Sequence, residues 1–531
     1  MRLPERSTAR RLLLAVLGIA FATILASCIS SPRTSSGQSL PDAGLEALTS
    51  FTETLTLLTW VILVLVVGGV IVLLLRLKSM GVVGFAPSTS LERLNLSERP
   101  LLRLLTLCIL YVAQGIPYGF VTITLAAYLA ESNATTGQIG GLLAMGTLPW
   151  TFKWVWGPMI DRYGLPAMGR RRPWILLAQT GMIVTIAIMA FVPSITDSLV
   201  LIGWMVFTHN IFNSLQDVSV DALAVDLLRE EERGRVSGLM YGSKFIGTFI
   251  GGAVLSRVLT SSGLDGVFAC QVLILLAILC VPLFLRERAG EKLLPWTRGE
   301  VQGETAAAIS SSIKVLFQRL GRAFSLRASI LAGLIGLGMF IANGALGPIL
   351  QVFYQQELGW ARTDYTDISG GYGVFLGLAG AMGGGFLADA FGAKRIIAIG
   401  TICLGLNYLA FAAMDPEFLG WGWFSWTSDG AMTTFILLEG FLVSMASVGL
   451  FSMYMTVSWP LVAGTQFTAY MAVLNLSTTT GQWISGAVEQ YGIVNIMIVF
   501  GLFQLAIVAL LPLIDVHQTR RVLGDGALEV A

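Results

Sequence analysis

The stretch "GGFLADAFGAKRI" (Gly384–Ile396) closes an apolar run and turns, at a glycine, into two basic residues. "GPMIDRYGLPAMGRRRPWIL" (Gly157–Leu176) does the same earlier in the chain, with a longer insertion before Arg170, Arg171 and Arg172. Upstream of each lies a second matching pair. "YVAQGIPYGF" (Tyr111–Phe120) and "FIANGALGPI" (Phe340–Ile349) align Gln114-Gly115 with Asn343-Gly344. Gln114 to Asp161 spans 47 residues and Asn343 to Asp389 spans 46. Two matches at nearly one offset argue for duplicated halves, an arrangement common in secondary transporters.

Composition sets the environment of those halves. The chain has 531 residues, 55% hydrophobic and 12% charged, with a mean hydropathy of +0.76. Soluble domains carry about 25% charged residues, so this is an all-α polytopic membrane protein. The net charge of +1 says nothing about partners. Five cysteines stand singly, and neither a CxxC pair nor a His/Cys cluster suggests metal or redox work. There is no P-loop and no nucleophile–base set, so neither an enzyme, a cofactor nor an ATP drive is expected. Nucleic acid and a protein partner have no signal either.

Apolar stretches near 102–130, 137–161, 173–193, 198–228, 234–260 and 264–286 form a first set of six. A polar linker, 287–326, separates them from 328–357, 366–389, 394–414, 431–459, 465–488 and 491–515. The halves are therefore read as 101–286 and 327–516, with a tail at 517–531. Placing the N-terminus, the linker and the C-terminus in the cytoplasm puts 28 of the 33 Lys and Arg residues on that side. That asymmetry is the positive-inside rule.

The first 100 residues stand apart. Residues 1–28 carry Arg2, Arg6, Arg10 and Arg11, an apolar run and then Leu25-Ala26-Ser27-Cys28. This reads either as a secretory signal or as an uncleaved first membrane helix. The last four residues resemble a bacterial lipobox, which would make Cys28 the lipidated residue. Between 29 and 100 come a periplasmic linker, the span "TLLTWVILVLVVGGVIVLLL" and a cytoplasmic connector. One or two helices are thus expected in addition to the twelve.

The loop around Gly384–Ile396 resembles the signature of the major facilitator superfamily, and Gly157–Leu176 looks like its first-half counterpart. The resemblance implies the major facilitator fold, with Asp161, Arg162, Arg170, Arg171, Arg172, Asp389, Lys394 and Arg395 in gating loops between inward-open and outward-open states. A narrower resemblance rests on Leu148-Pro149, Lys153, Trp156, Pro158, Asp161, Gly169 to Arg172, Gln216-Asp217 and Asp221. These are similar to AmpG-type muropeptide permeases and the related acetyl-CoA transporters. That likeness implies a solute-and-proton transporter of the bacterial inner membrane, its solute a muropeptide-like amphiphile.

"HNIFNSLQDVSVDALAVD" (His209–Asp226) puts three aspartates in a membrane-length helix, each costing at least about 2.5 kcal/mol at mid-bilayer. At 100° per residue, Asn210, Asn213, Ser214 and Asp221 fall within about 60° of Asp217 and form one polar stripe. Asp226 falls opposite, in the interfacial charge cluster of Arg229, Glu230 and Arg233. Lys244 and Lys153 lie at matching depths and can neutralise Asp217 and Asp221. Either this is a static ion-pair network, or solute or a proton competes for the partners. Gln114 to Tyr118 is expected to interrupt the first span, its polar members and Asn343 touching solute. Glu439 is read as a proton site or a partner of a neighbouring hydroxyl, and His209 as hydrogen-bonded structure or a relay. Gly247-xxx-Gly251, Gly373-xxx-Gly377 and Gly380-xxx-Gly384 fit close helix crossing. Rival readings are transport of an acyl-CoA or peptide-like compound, or a non-transporting membrane assembly or delivery factor.

Overall fold

A computed structural model describes residues 95–163, 166–297 and 313–524. Cys28 and the additional N-terminal span lie outside the described residues, as does the side chain of Arg162. Among the described residues the chain is helical throughout, and twelve helices follow the expected spans. They are α1 Pro100–Gly119, α2 Thr136–Thr151, α3 Arg172–Met189, α4 Leu199–Leu227, α5 Glu230–Phe249 and α6 Leu255–Phe284. After the linker come α7 Arg327–Val352, α8 Gly373–Phe391, α9 Ala393–Ala413, α10 Asp429–Val457, α11 Ala463–Glu489 and α12 Ile493–Val508. Eight helical stretches among the described residues are by themselves long and apolar enough to cross a membrane. One of them, Val236–Phe284, is 49 residues long and turns at Gly263 (φ 65°), so it supplies two passes.

Local chemistry sets the ends. Pro100 opens α1, where its missing N–H costs nothing. Thr135 and Gln138 form a reciprocal capping box at the start of α2. Gly392, at φ 91°, ends α8 and starts α9 in one residue, which a side chain would strain. The expected interruption at Gln114–Tyr118 is not there. α1 runs helically through Pro117 to Gly119, and the irregularity comes one turn later, as a π-helical turn at Phe120–Leu125 leading into Ala126–Glu131. The glycines there serve packing instead of a break.

By contacts the described residues form two units. One joins 95–121 with 155–297; the other joins 122–154 with 313–524. In the first, α1 and α5 cross with backbones touching. A Cβ on Gly115 would stand 2.2 Å from the Lys244 carbonyl oxygen, and one on Gly247 would stand 2.3 Å from that of Val112. In the second, α7 and α11 repeat the arrangement: a Cβ added to Gly344 would overlap the Thr478 carbonyl oxygen, and one added to Gly481 that of Ile341. The glycines that follow Gln114 and Asn343 therefore do the same work in each half. α8 and α10 meet in the same manner at Gly380, where an added Cβ would overlap the Phe441 carbonyl oxygen.

Gly247→Val should cost about 1–3 kcal/mol or more by forcing α5 off α1. Gly141→Ala, where a Cβ meets open space, should stay within about 0.5 kcal/mol. Thermal unfolding of both variants in detergent measures the difference.

Candidate functional site

In the unit of α1, α3, α4, α5 and α6, the α1–α5 contact decides which polar groups meet. It holds the Lys244 backbone against Gly115, and the Lys244 ammonium then lies 6.0 Å from the centre of the Tyr118 ring. Such a cation over an aromatic face is favourable. Tyr118 is about half exposed, as is Tyr241 on α5, and Asp221 on α4 is exposed beside them. The Tyr111 hydroxyl donates a short hydrogen bond to Asp221 Oδ1, and the Tyr111 and Tyr241 rings sit 6.0 Å apart. One face of this unit thus presents a carboxylate, an ammonium and two tyrosines from α1, α4 and α5, with the buried Tyr111 beneath them.

The α4 stripe predicted from sequence is divided by depth. Asp221 is exposed, whereas Asp217 is 5% exposed and Asn210, Asn213 and Ser214 are buried. Asn210 donates to the Val206 carbonyl at 3.1 Å, Asn213 reaches Asn210 at 3.5 Å, and Ser214 accepts from the Trp156 indole at 2.9 Å. Gln114 is fully buried. Tyr111 was not singled out in the sequence, although it lies seven residues before Tyr118 and so on the same helical face. His209 is buried with Nδ1 2.9 Å from the Thr185 hydroxyl.

In the other unit, the Tyr408 hydroxyl on α9 donates to Glu439 on α10 at 3.2 Å, and Tyr408 also hydrogen-bonds Asn343 on α7. Three helices therefore meet at one buried phenol, within a cluster that includes Tyr354, Tyr365, Phe411 and Phe435. Tyr408 is a second residue that the sequence reading missed. Lys153 belongs to this unit, in a 3-10 turn after α2, with its ammonium 6.0 Å from the Trp150 ring. A separate cavity of about 310 Å³, lined by Glu357, Asp415, Trp426 and Glu489 among others, contains none of the sequence-predicted residues.

The loop between α2 and α3 is tied down by charge. Asp161 Oδ1 accepts from Arg170 at 2.9 Å and from Arg171 at 2.6 Å, and Arg171 Nε reaches Asp226 at 2.8 Å. Asp226 is thus a partner of the loop arginine Arg171. Arg172 turns the other way, donating to the carbonyls of Pro282 at 2.6 Å and Leu283 at 2.8 Å at the end of α6. Glu287 completes the tie. Its carboxylate accepts from the backbone N–H groups of Arg170 (3.1 Å), Arg171 (2.7 Å) and Arg172, the last by a short bond. The second-half loop lacks this closure: Asp389 and Arg395 are exposed, and Lys394 donates to the Ile514 carbonyl at 2.8 Å.

Residues 103–481 match the sequence profile of the Major Facilitator Superfamily. The anhydromuropeptide permease of Escherichia coli (strain K12) is 25% identical over 348 residues, covering 61% of this chain and 69% of that protein. A Rickettsia conorii protein bearing the name transporter AmpG 4 is 23% identical over 419 residues, 77% of this chain and 94% of its own length. The crystal structure of a D-xylose-proton symporter aligns with a TM-score of 0.58 at 12% identity, covering 77% of this chain and 97% of that one. That of the nucleoside transporter NupG aligns at 0.57 and 13%, covering 77% and 99%. At those identities the likeness is one of fold.

The segment after α6 carries a pH dependence of its own. Burial, and then the neighbouring Glu287 carboxylate, push Glu291 up to about 7, against the pull of the Arg288 amide and of Arg172 and Arg288. A carboxyl raised in this way favours the docked segment while it is protonated. Docking is full below the ordinary carboxylate range and weakens as pH rises through about 7. Amide exchange at Leu293 and Leu294, corrected for intrinsic rate, should therefore speed up between pH 6 and pH 8, and Glu291→Gln should flatten the profile.

Proposed function

The chain belongs to the Major Facilitator Superfamily, and from that premise we propose that it is a proton-coupled transporter of a muropeptide-like amphiphile, working by alternating access. It lies in a bacterial inner membrane with its C-terminus in the cytoplasm, as the distribution of Lys and Arg favours. The observation that carries the coupling is the α4 acid pair. Asp217 and Asp221 stand one turn apart, one buried and one exposed, with the Tyr111 hydroxyl bonded to the exposed one.

Protonation changes what such a carboxyl can do. Ionised, Asp221 only accepts, and it holds the Tyr111 hydroxyl. Protonated, it becomes a donor and loses its attraction for a cation. Solute groups arriving at the face made by Tyr118, Tyr241 and Lys244 then meet a different partner set in each state. The tyrosines offer flat amphipathic surface, and the ammonium offers a site for a solute carboxylate. Glu439, held by Tyr408 beside Asn343, is the corresponding acid of the second half. Asp161, Arg171 and Asp226 are the contacts that must open and close as access alternates. The name of the E. coli relative supplies the solute class, and uptake of an acyl-CoA or peptide-like compound is the competing version.

Purified protein in liposomes should take up labelled anhydromuropeptide when an inward proton gradient is imposed. Asp217→Asn and Asp221→Asn should each abolish that uptake while eluting as the wild type does in gel filtration. Unchanged uptake by both variants would remove the α4 acids from the mechanism.

A further inference from the structure

Four glutamines of the first unit are fully buried: Gln114 on α1, Gln179 on α3, Gln216 on α4 and Gln271 on α6. Bonds and helix register place them in one layer. Gln216 donates a short bond to Gln179 Oε1, and Gln179 donates to the Leu275 carbonyl at 3.3 Å, one turn from Gln271. The Tyr111–Asp221 bond fixes α1 against α4. Moving one turn along each antiparallel helix brings Gln114 to the level of Asp217. A second rung between α3 and α4 is Thr185 with His209, and Asn213 lies on α4 between the two rungs.

The layer, together with Asn213 and the His209 rung, holds seven polar atoms with no protein partner. They are both amide atoms of Gln114, both of Gln271, Gln216 Oε1, Asn213 Oδ1 and His209 Nε2. Seven bare atoms would carry a summed penalty comparable with the whole stability of a domain. A polar occupant is therefore required. The mixture of atoms selects it. A cation would answer the oxygens and leave two NH2 groups bare; an anion would do the reverse beside a carboxylate. Water donates and accepts, so it answers both.

We propose that this glutamine layer binds a chain of internal waters, running along the α3–α4 seam from His209 to Asp217, and that these waters carry the coupling proton to Asp217. The proposal rests on the reading of the α4 acids as the coupling site. Asp217 is only 5% exposed, so its proton needs a path through the bundle. Seven residues of helix separate His209 from Gln216, roughly 10 Å at the helical rise, a length that a few waters span. Each water receives one proton and passes one on. The excess proton ends as the O–H of the Asp217 carboxylic acid, and only O–H bonds form or break.

Two measurements on the full-length protein test this. X-ray radiolysis in 18O-water oxidises residues beside bound water, and Met182, which is fully buried between the two rungs, should take up label in the wild type. Gln271→Met, which removes two of the unpartnered atoms at similar volume, should lower that labelling. It should also cut proton-gradient-driven uptake of anhydromuropeptide by about tenfold or more. Exchange of the same solute across the membrane without net proton movement should persist, and Gln271→Asn should restore part of the driven uptake. Absence of label on Met182, or a Gln271→Met protein that melts higher and transports as the wild type does, overturns the proposal. So does equal loss of driven uptake and exchange, which marks Gln271 as structural. Wild-type labelling of Met182 without any anhydromuropeptide movement keeps the hydrated layer and overturns the solute assignment alone.

Discussion

Lipid offers no partner to a backbone carbonyl or to a carboxylate, so a polar group within these helices must be answered by its own helix, by a neighbouring one or by enclosed water. Close approach of backbones is what makes such answers possible. At Gly115 and Gly247 the α1 and α5 backbones touch, and this contact presents Lys244 to Tyr118. At Gly344 and Gly481 the same contact recurs beside Asn343, which joins Tyr408 and Glu439. The small residues are therefore the reason the polar ones meet where they do.

The two halves use one plan with different chemistry. The first concentrates charge: Asp217 and Asp221 on α4, and a loop tied through Asp161, Arg171, Asp226 and Glu287. The second has one acid in an aromatic surround, and its loop aspartate, Asp389, stands exposed. Under the proposed mechanism, that division lets one half hold the proton and the clasp while the other contributes shape and Glu439.

Much of the fold was legible because apolar length, basic asymmetry and a repeated offset are properties of sequence alone. The twelve helices followed from them, and the superfamily was suggested by the resemblance of the Gly384–Ile396 loop to its signature. Azimuth was legible too, since counting at 100° per residue grouped Asn210, Asn213, Asp217 and Asp221 on one face. Depth was not legible. Which of them a neighbouring helix covers depends on packing, and the structure buries all but Asp221. Pro117 suggested a break because proline removes one helical bond, but the helix continues and the irregularity falls at the π-helical turn that follows. Glu287 gave no signal because its partners are backbone N–H groups 115 to 117 residues away, which carry no residue type to recognise. Tyr408 was hidden for a related reason: a tyrosine in an apolar run reads as core until an acid is found beside it.

Coupling of solute to protons through the first-half acids is the central claim, and solute-driven proton movement tests it most directly. Anhydromuropeptide added to lightly buffered proteoliposomes with no imposed gradient should make the outside medium more alkaline as protons enter with solute. Solute entry with no change in external pH would contradict the account.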